Sequence, residues 1–198
     1  MSSRAATLEA IRKNRPSGEY ALPEVPVFAP LVGEDLVAEF GERLKRMGGR
    51  IAEPGSADPF EAVRERLKAS KIVASAVPEI EGNRDLSQVA QPQDLADVDV
   101  AVVRAVFGVA ETGSVLFTQD ELRVNAVAYL AQHLIVLLDP ADILVNIQAA
   151  YRRPEFGRAA YAVLHTGPSA TADIEGVLIH GAQGVRSLTV LLMPRGAH

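Results

Sequence analysis

None of the 198 residues is a cysteine. That excludes disulfides, thiolate zinc sites, cysteine-ligated iron–sulfur clusters and a cysteine nucleophile within this chain. No apolar run approaches the ~20 residues of a membrane-spanning helix. The amino-terminal Met-Ser-Ser-Arg-Ala-Ala-Thr-Leu-Glu has no apolar signal core. No membrane insertion is expected, and a cytoplasmic location is. Positive charge is in deficit as well: the net charge of -5 argues against a nucleic-acid binder. A local cationic site for a small anionic ligand stays open. Internal repeats and low-complexity blocks are absent, and arginine far outnumbers lysine, a bias of GC-rich bacterial coding. What remains is ordinary for a folded domain, with 48% apolar and 23% charged residues. A chain of this length buries roughly 70% of its unfolded surface and needs no covalent staple.

Residues 3–14 carry Ala6, Leu8 and Ile11 on a helical repeat. Residues 15–30 hold four prolines and no periodicity, which predicts an extended arm. The chain therefore divides into an amino-terminal helix and Pro-rich arm, 1–32, and an α/β domain, 33–198. Within the domain, Leu36, Val37, Phe40, Leu44 and Met47 form one helical face, closed by Gly48-Gly49. Short strands are predicted at 50–53 and 71–75, with a helix opened by Asp58-Pro59 between them. Strands are expected near 100–105 and 114–118, flanking the turn Glu111-Thr-Gly113, and at 133–139. A helix is expected over 140–153, with Ile143, Leu144, Ile147 and Ala150 inward. Residues 124–132 suit helix or loop. Strands follow at 161–165 and 187–193. Val, Ile and Leu-rich strands alternating with amphipathic helices predict an α/β fold with a largely parallel sheet. Ligands in such sheets bind beyond the carboxyl ends of strands, and both polar turns follow strand-like runs.

The chemistry concentrates in Thr166-Gly-Pro-Ser-Ala-Thr-Ala-Asp-Ile-Glu175 and in Ala110-Glu-Thr-Gly-Ser114. The first sets a Gly-Pro turn, hydroxyls and carboxylates between apolar runs. It reads as a plain loop or as a cradle for an anion or carbonyl built from Gly167, Ser169, Thr171 and backbone N–H groups. It has neither the lysine nor the spacing of a P-loop. Asp173 suits acid–base work or a solvated turn equally, and Arg104 or Arg186 could pair with it or with Glu175. Glu111 could be a nucleophile or base, or could simply cap N–H groups; Thr112 would line the same turn, and Gly113 would let another backbone come close. Gly181-Ala-Gln-Gly184 is a tight turn that an anion could approach. His133, His165 and His180 flank strands without the spacing of a metal site, so no metal or other cofactor is expected.

Taken in order, Ala110-Glu-Thr-Gly-Ser114, His133-Leu-Ile-Val136, Gly167-Pro-Ser-Ala-Thr-Ala-Asp-Ile-Glu175 and Gly181-Ala-Gln-Gly184 resemble the LUD domain of the lactate-utilisation protein C family. The resemblance covers roughly residues 60–194 and departs at Gln183 and Val185, where histidine and proline are common in the family. It implies the three-layer α/β/α fold of phosphosugar isomerases, CoA-transferases and 5-formyltetrahydrofolate cyclo-ligase. It also implies a bacterial system oxidising L-lactate to pyruvate, in which this chain is an accessory subunit and iron–sulfur proteins are its partners. The same resemblance admits a stand-alone enzyme of CoA-transferase or cyclo-ligase type with Glu111 and Asp173 as catalytic residues, or a binding module for a small anionic ligand. Thr112, Gly113, Gly167, Ser169, Thr171, Gly181 and Gly184 would then hold the ligand. Oligomerisation is left open by the sequence.

Overall fold

Stretches rich in Val, Ile and Leu at 100–104, 133–138 and 187–192 offer little polar surface to water, so each is best covered on both sides. A computed structural model of the chain describes residues 3–18, 21, 23–24, 26, 33, 35–172, 178–180 and 184–196. Half of the Pro-rich stretch 15–30, with Asp173, Glu175, Gly181 and Gln183, lies outside the described residues. In chain order, the helices are α1 (Ser3–Asn14), α2 (Leu36–Arg46), α3 (Glu61–Lys68), α4 (Gln119–Leu122), α5 (Val127–Leu130), α6 (Ile147–Tyr151) and α7 (Glu155–Arg158). The strands are β1 (Arg50–Ala52), β2 (Val73–Ser75), β3 (Val100–Arg104), β4 (Phe107–Val109), β5 (Ser114–Thr118), β6 (His133–Leu138), β7 (Ile143–Leu144), β8 (Ala162–His165), β9 (Ala170–Ala172), β10 (Leu178–His180) and β11 (Ser187–Leu192).

Among the described residues, five parallel strands form the central sheet in the order β1-β11-β6-β3-β2. Its pleat separates two cores. Ala101, Val103, Leu134, Val136, Leu138, Leu188 and Val190 face one way. Val100, Val102, Ile135, Leu137 and Leu191 face the other and meet Phe60 and Val63 beside and on α3. The first face is covered by α2, α4, α5 and a second, mixed sheet ordered β7-β4-β5-β8. Alternation along β5 sends Val115 and Phe117 to that main core, while Leu116 packs outward with Phe107, Val109 and Ala150. The α/β fold with a parallel sheet is as expected, with a sheet sharing the layer on one side. Among the described residues, α1 buries none of its side chains, and no helix is long and apolar enough to cross a membrane.

Two expectations need correction. Residues 140–153 do not form one helix. Asp139 Oδ1 accepts the Ala141 N–H at 2.9 Å and caps a single 3-10 turn, Pro140–Asp142. Ile143 and Leu144 then pair in parallel with β4 as an edge strand, and Asn146 Oδ1 accepts the Ala149 N–H at 2.8 Å to begin α6. The spacing of apolar residues there fits either structure, and two caps with an open strand edge decide it. The strand entering the Glu111 turn is β4, not β3. The chain leaves the parallel sheet at Ala105, whose N–H donates to Leu137 O, and joins the second sheet at Phe107.

Candidate functional site

Because β4 and β5 are antiparallel neighbours, Ala110–Gly113 is a hairpin turn of the second sheet. Strand β8 pairs with β5 so that Val115 faces His165. That register puts Ser114 beside Thr166 and brings two turns, 52 residues apart in sequence, onto one rim. A chain of hydroxyls closes the gap: Thr112 Oγ1 lies 2.7 Å from Ser114 Oγ, which lies 2.5 Å from Thr166 Oγ1. The rim belongs to the second sheet rather than to the carboxyl ends of the parallel strands, where it was expected.

Two glycines explain what lies over this rim. Gly113 has φ +67°, and a Cβ there would sit 2.2 Å from the Leu44 N of α2. Gly167 has φ +72°, and its Cβ would sit 2.2 Å from Met47 O, just past the end of the same helix. Both positions thus need glycine for conformation and for space. Asp35 starts α2 by accepting the Val37 and Ala38 N–H groups, and fully buried Phe40 and Leu44 anchor it, each worth roughly 1.5–3 kcal/mol. The last turn of α2 therefore roofs both polar turns.

Under that roof is a cavity of about 430 Å³ lined by Arg43, Arg46, Met47, Glu111, Thr112, Ser114 and Thr166. Glu39 holds Arg43 by its Nε at 2.5 Å, leaving the terminal nitrogens of the guanidinium to other acceptors. Glu111 Oε2 accepts the Ile147 N–H at 3.0 Å at the start of α6, the capping role foreseen as one alternative for it. Two guanidinium groups, one engaged carboxylate and three hydroxyls make a lining suited to a small carboxylate or other oxyanion.

Thr166 also lines a neighbouring cavity of about 400 Å³, with Tyr129, His165, Gly167, Ser169, Gly184 and Val185 among its walls. Ser169 N–H donates to Val185 O at 2.8 Å, and Gly184 lies against Ser169 and the Tyr129 carbonyl. His165 packs edge-on to Phe117, at 5.4 Å between ring centres, and 5.0 Å from Tyr129. Burial pushes its pKa down to about 4, so the ring is neutral near pH 7. Its Nε2 is buried without a partner among the described residues. The Tyr129 hydroxyl, raised in pKa by burial and by its hydrogen bond to Tyr161, stays protonated.

Of the residues predicted for the site, Glu111 and Thr112 line the cavity beneath α2, Gly113 lies against the α2 backbone, and Gly167, Ser169 and Gly184 line the adjoining cavity. Thr171 is exposed on β9 and lines neither cavity. Asp173 and Gly181 lie outside the described residues. Arg104, a candidate partner for the carboxylates of that loop, pairs its guanidinium with Glu79 at 2.5 Å, and Glu175 too lies outside the described residues. Sequence reasoning passed over Arg43, Arg46, Ser114 and Thr166 as site residues. Arginines three apart in the last turn of α2, immediately before Gly48-Gly49, were the available signal.

The LUD domain family matches residues 55–193 of the chain. No curated protein matches it. A crystal structure of a DUF162 family protein from Deinococcus radiodurans is similar in fold, with a TM-score of 0.58 and 16% identity, covering 82% of this chain and 99% of that one.

Proposed function

This chain belongs to the LUD domain family, and on that premise we propose that it serves a bacterial system oxidising L-lactate to pyruvate, as a subunit without a redox centre of its own. The observation that carries the proposal is the joined pair of turns under α2. Arg43 and Arg46 stand over Thr112, Ser114 and Thr166 in a cavity with room for a small hydroxy- or keto-carboxylate. The guanidinium groups meet the carboxylate and the hydroxyl chain meets the α-oxygen. Electrons would pass to iron–sulfur partners, since the 198 residues supply no thiolate to hold a cluster. The protein C resemblance of residues 166–175 supplies the lactate setting.

The test is growth on L-lactate as sole carbon source. A deletion strain should fail to grow, the wild-type gene should restore growth, and the Thr166→Val gene should restore it poorly. Normal growth of the deletion strain removes the proposal.

A second reading rests on Glu111 lining the same cavity. In it the free carboxylate oxygen attacks an acyl-CoA thioester, as in CoA-transferases, forming a mixed anhydride and expelling the CoA thiolate. The thiolate then attacks the glutamyl carbonyl, giving a glutamyl thioester and releasing the acyl group as a carboxylate, with Asp173 as acid–base partner and Gly181 in the anion cradle. Borohydride trapping of a glutamyl thioester, lost in Glu111→Ala, tests that reading. Absence of any adduct with a panel of acyl-CoA esters dismisses it.

A further inference from the structure

We propose a second ligand site, in a cleft of about 690 Å³ at the carboxyl end of β2, where Arg123 holds the oxyanion end of a nucleotide-sized small molecule. The inference rests on no part of the lactate reading. Ser114 begins β5 and Arg123 lies beyond its other end, so a five-residue strand, roughly 15 Å, separates the two sites.

The backbone at Arg123 is the first argument. Its φ is 61° and its ψ -52°, and among the described residues it is the only non-glycine with positive φ. The Val124 N–H donates to Leu122 O at 2.6 Å, closing a γ-turn of the rare, strained hand. Strain of this kind persists only where neighbouring structure enforces it, and it concentrates at functional sites. Here fully buried Leu122 and Val127 pin both sides of the turn. The Thr118–Glu121 capping box fixes the start of the short helix that leads into it.

Charge accounting in the cleft is the second argument. Arg84, which also lines the cleft, is spent on Asp97 at 2.7 Å and on the Asp94 carbonyl. Asp85 is spent on the Ser87 N–H and hydroxyl at 2.8 and 2.7 Å. Among the described residues, the exposed Arg123 side chain has no acceptor. A guanidinium brings a planar fork that matches two oxygens of a phosphate or carboxylate. Val77, Pro78 and Leu86 add an apolar wall for the body of the ligand. The place is the third argument, since the cleft opens from Ser75, the last residue of β2, where parallel sheets bind their ligands.

The test is amide chemical-shift mapping of the isotope-labelled full chain, titrated with AMP and separately with citrate. Shifts clustered at Ser75, Asn83, Ser87 and Arg123 with either probe support the site. A response to AMP alone assigns a phosphate, and one to citrate alone a carboxylate. Arg123→Gly keeps a backbone that glycine adopts freely, so it should fold, melt at a higher temperature than wild type and weaken binding at least tenfold. Arg123→Lys should weaken it less. Silence at those amides at millimolar ligand, or unchanged affinity in Arg123→Gly, overturns the proposal. So does a lower melting temperature in Arg123→Gly, which would assign the arginine to the fold.

Discussion

Alanine at Gly113 is the sharpest perturbation of the roofed site, because two costs fall on one methyl group. With φ at +67°, any side chain there pays the left-handed penalty, about 1–2 kcal/mol. The methyl would also stand 2.2 Å from Leu44 N and 2.7 Å from Arg43 C, against an ordinary contact of about 3.5–4 Å. Those are backbone atoms of α2, so no side chain can swing away. The helix must retreat by about 1 Å, loosening the fully buried Phe40 and Leu44, at the ~1–3 kcal/mol typical of overpacking. Together the loss is about 2–5 kcal/mol, a large part of the ~5–15 kcal/mol that holds a domain. Gly184→Ala is the control. Its φ of +79° carries the same strain, but the nearest atoms to an added Cβ are Tyr129 O at 3.3 Å and Ser169 Cβ at 3.6 Å. It should lose only about 1–2 kcal/mol. Urea unfolding followed by circular dichroism measures both, read as a shift in midpoint at unchanged slope. Equal losses in the two variants, or a loss under about 1 kcal/mol in Gly113→Ala, would refute the placement of α2 on the turn.

His165, neutral when folded with its pKa pushed down to about 4, takes up a proton near pH 6.5 once unfolded, so stability falls as pH drops from 6.5 towards 4 and levels off below. His165→Leu should flatten that part of the pH profile, by up to about 3 kcal/mol relative to wild type; identical profiles would reject a neutral buried ring. Arg104→Met leaves the half-satisfied, largely buried Glu79 without its cation and should cost about 3–5 kcal/mol, while the double variant Arg104→Met, Glu79→Met should recover much of it. A double variant no better than the single would sink that reading in chemical denaturation. Thr166→Val should cost only about 1 kcal/mol in stability, because Ser114 keeps Thr112 as a partner, yet weaken L-lactate binding measured by calorimetry.

The parallel sheet was legible because its strands announce themselves chemically. Residues 100–103 and 134–138 are apolar on both faces, and 187–192 carry polar residues only at Ser187 and Thr189, a pattern that suits covered strands. Ile143 and Leu144 show the limit. Their spacing from Ile147 and Ala150 satisfies a helix, but the deciding fact is a vacant edge beside β4, which no local pattern encodes. Glu111, Thr112, Gly113, Gly167 and Ser169 stood out as polar, turn-forming residues between apolar runs, although a plain loop or a capping glutamate would account for them as well. Arg43 and Arg46 did not, because a basic residue in the last turn of a helix is favoured by the helix dipole alone.

What joins these pieces is the reason for the glycines. Read locally, Gly113 and Gly167 are turn residues that need positive φ, and Asn could often serve as well. In the fold, each also lacks a side chain because the backbone of α2 occupies that space, within one turn of the same helix. A single helix end therefore selects two glycines 54 positions apart, and the cavity exists only while both are satisfied. The hydroxyl chain Thr112–Ser114–Thr166 is the polar counterpart of that constraint, since the buried Ser114 hydroxyl is satisfied by the oxygens of the two neighbouring threonines. Displacing α2 would change the spacing of the arginines above the hydroxyls before it disturbed the parallel sheet, whose own core is independently closed on its far face by Phe60 and Val63.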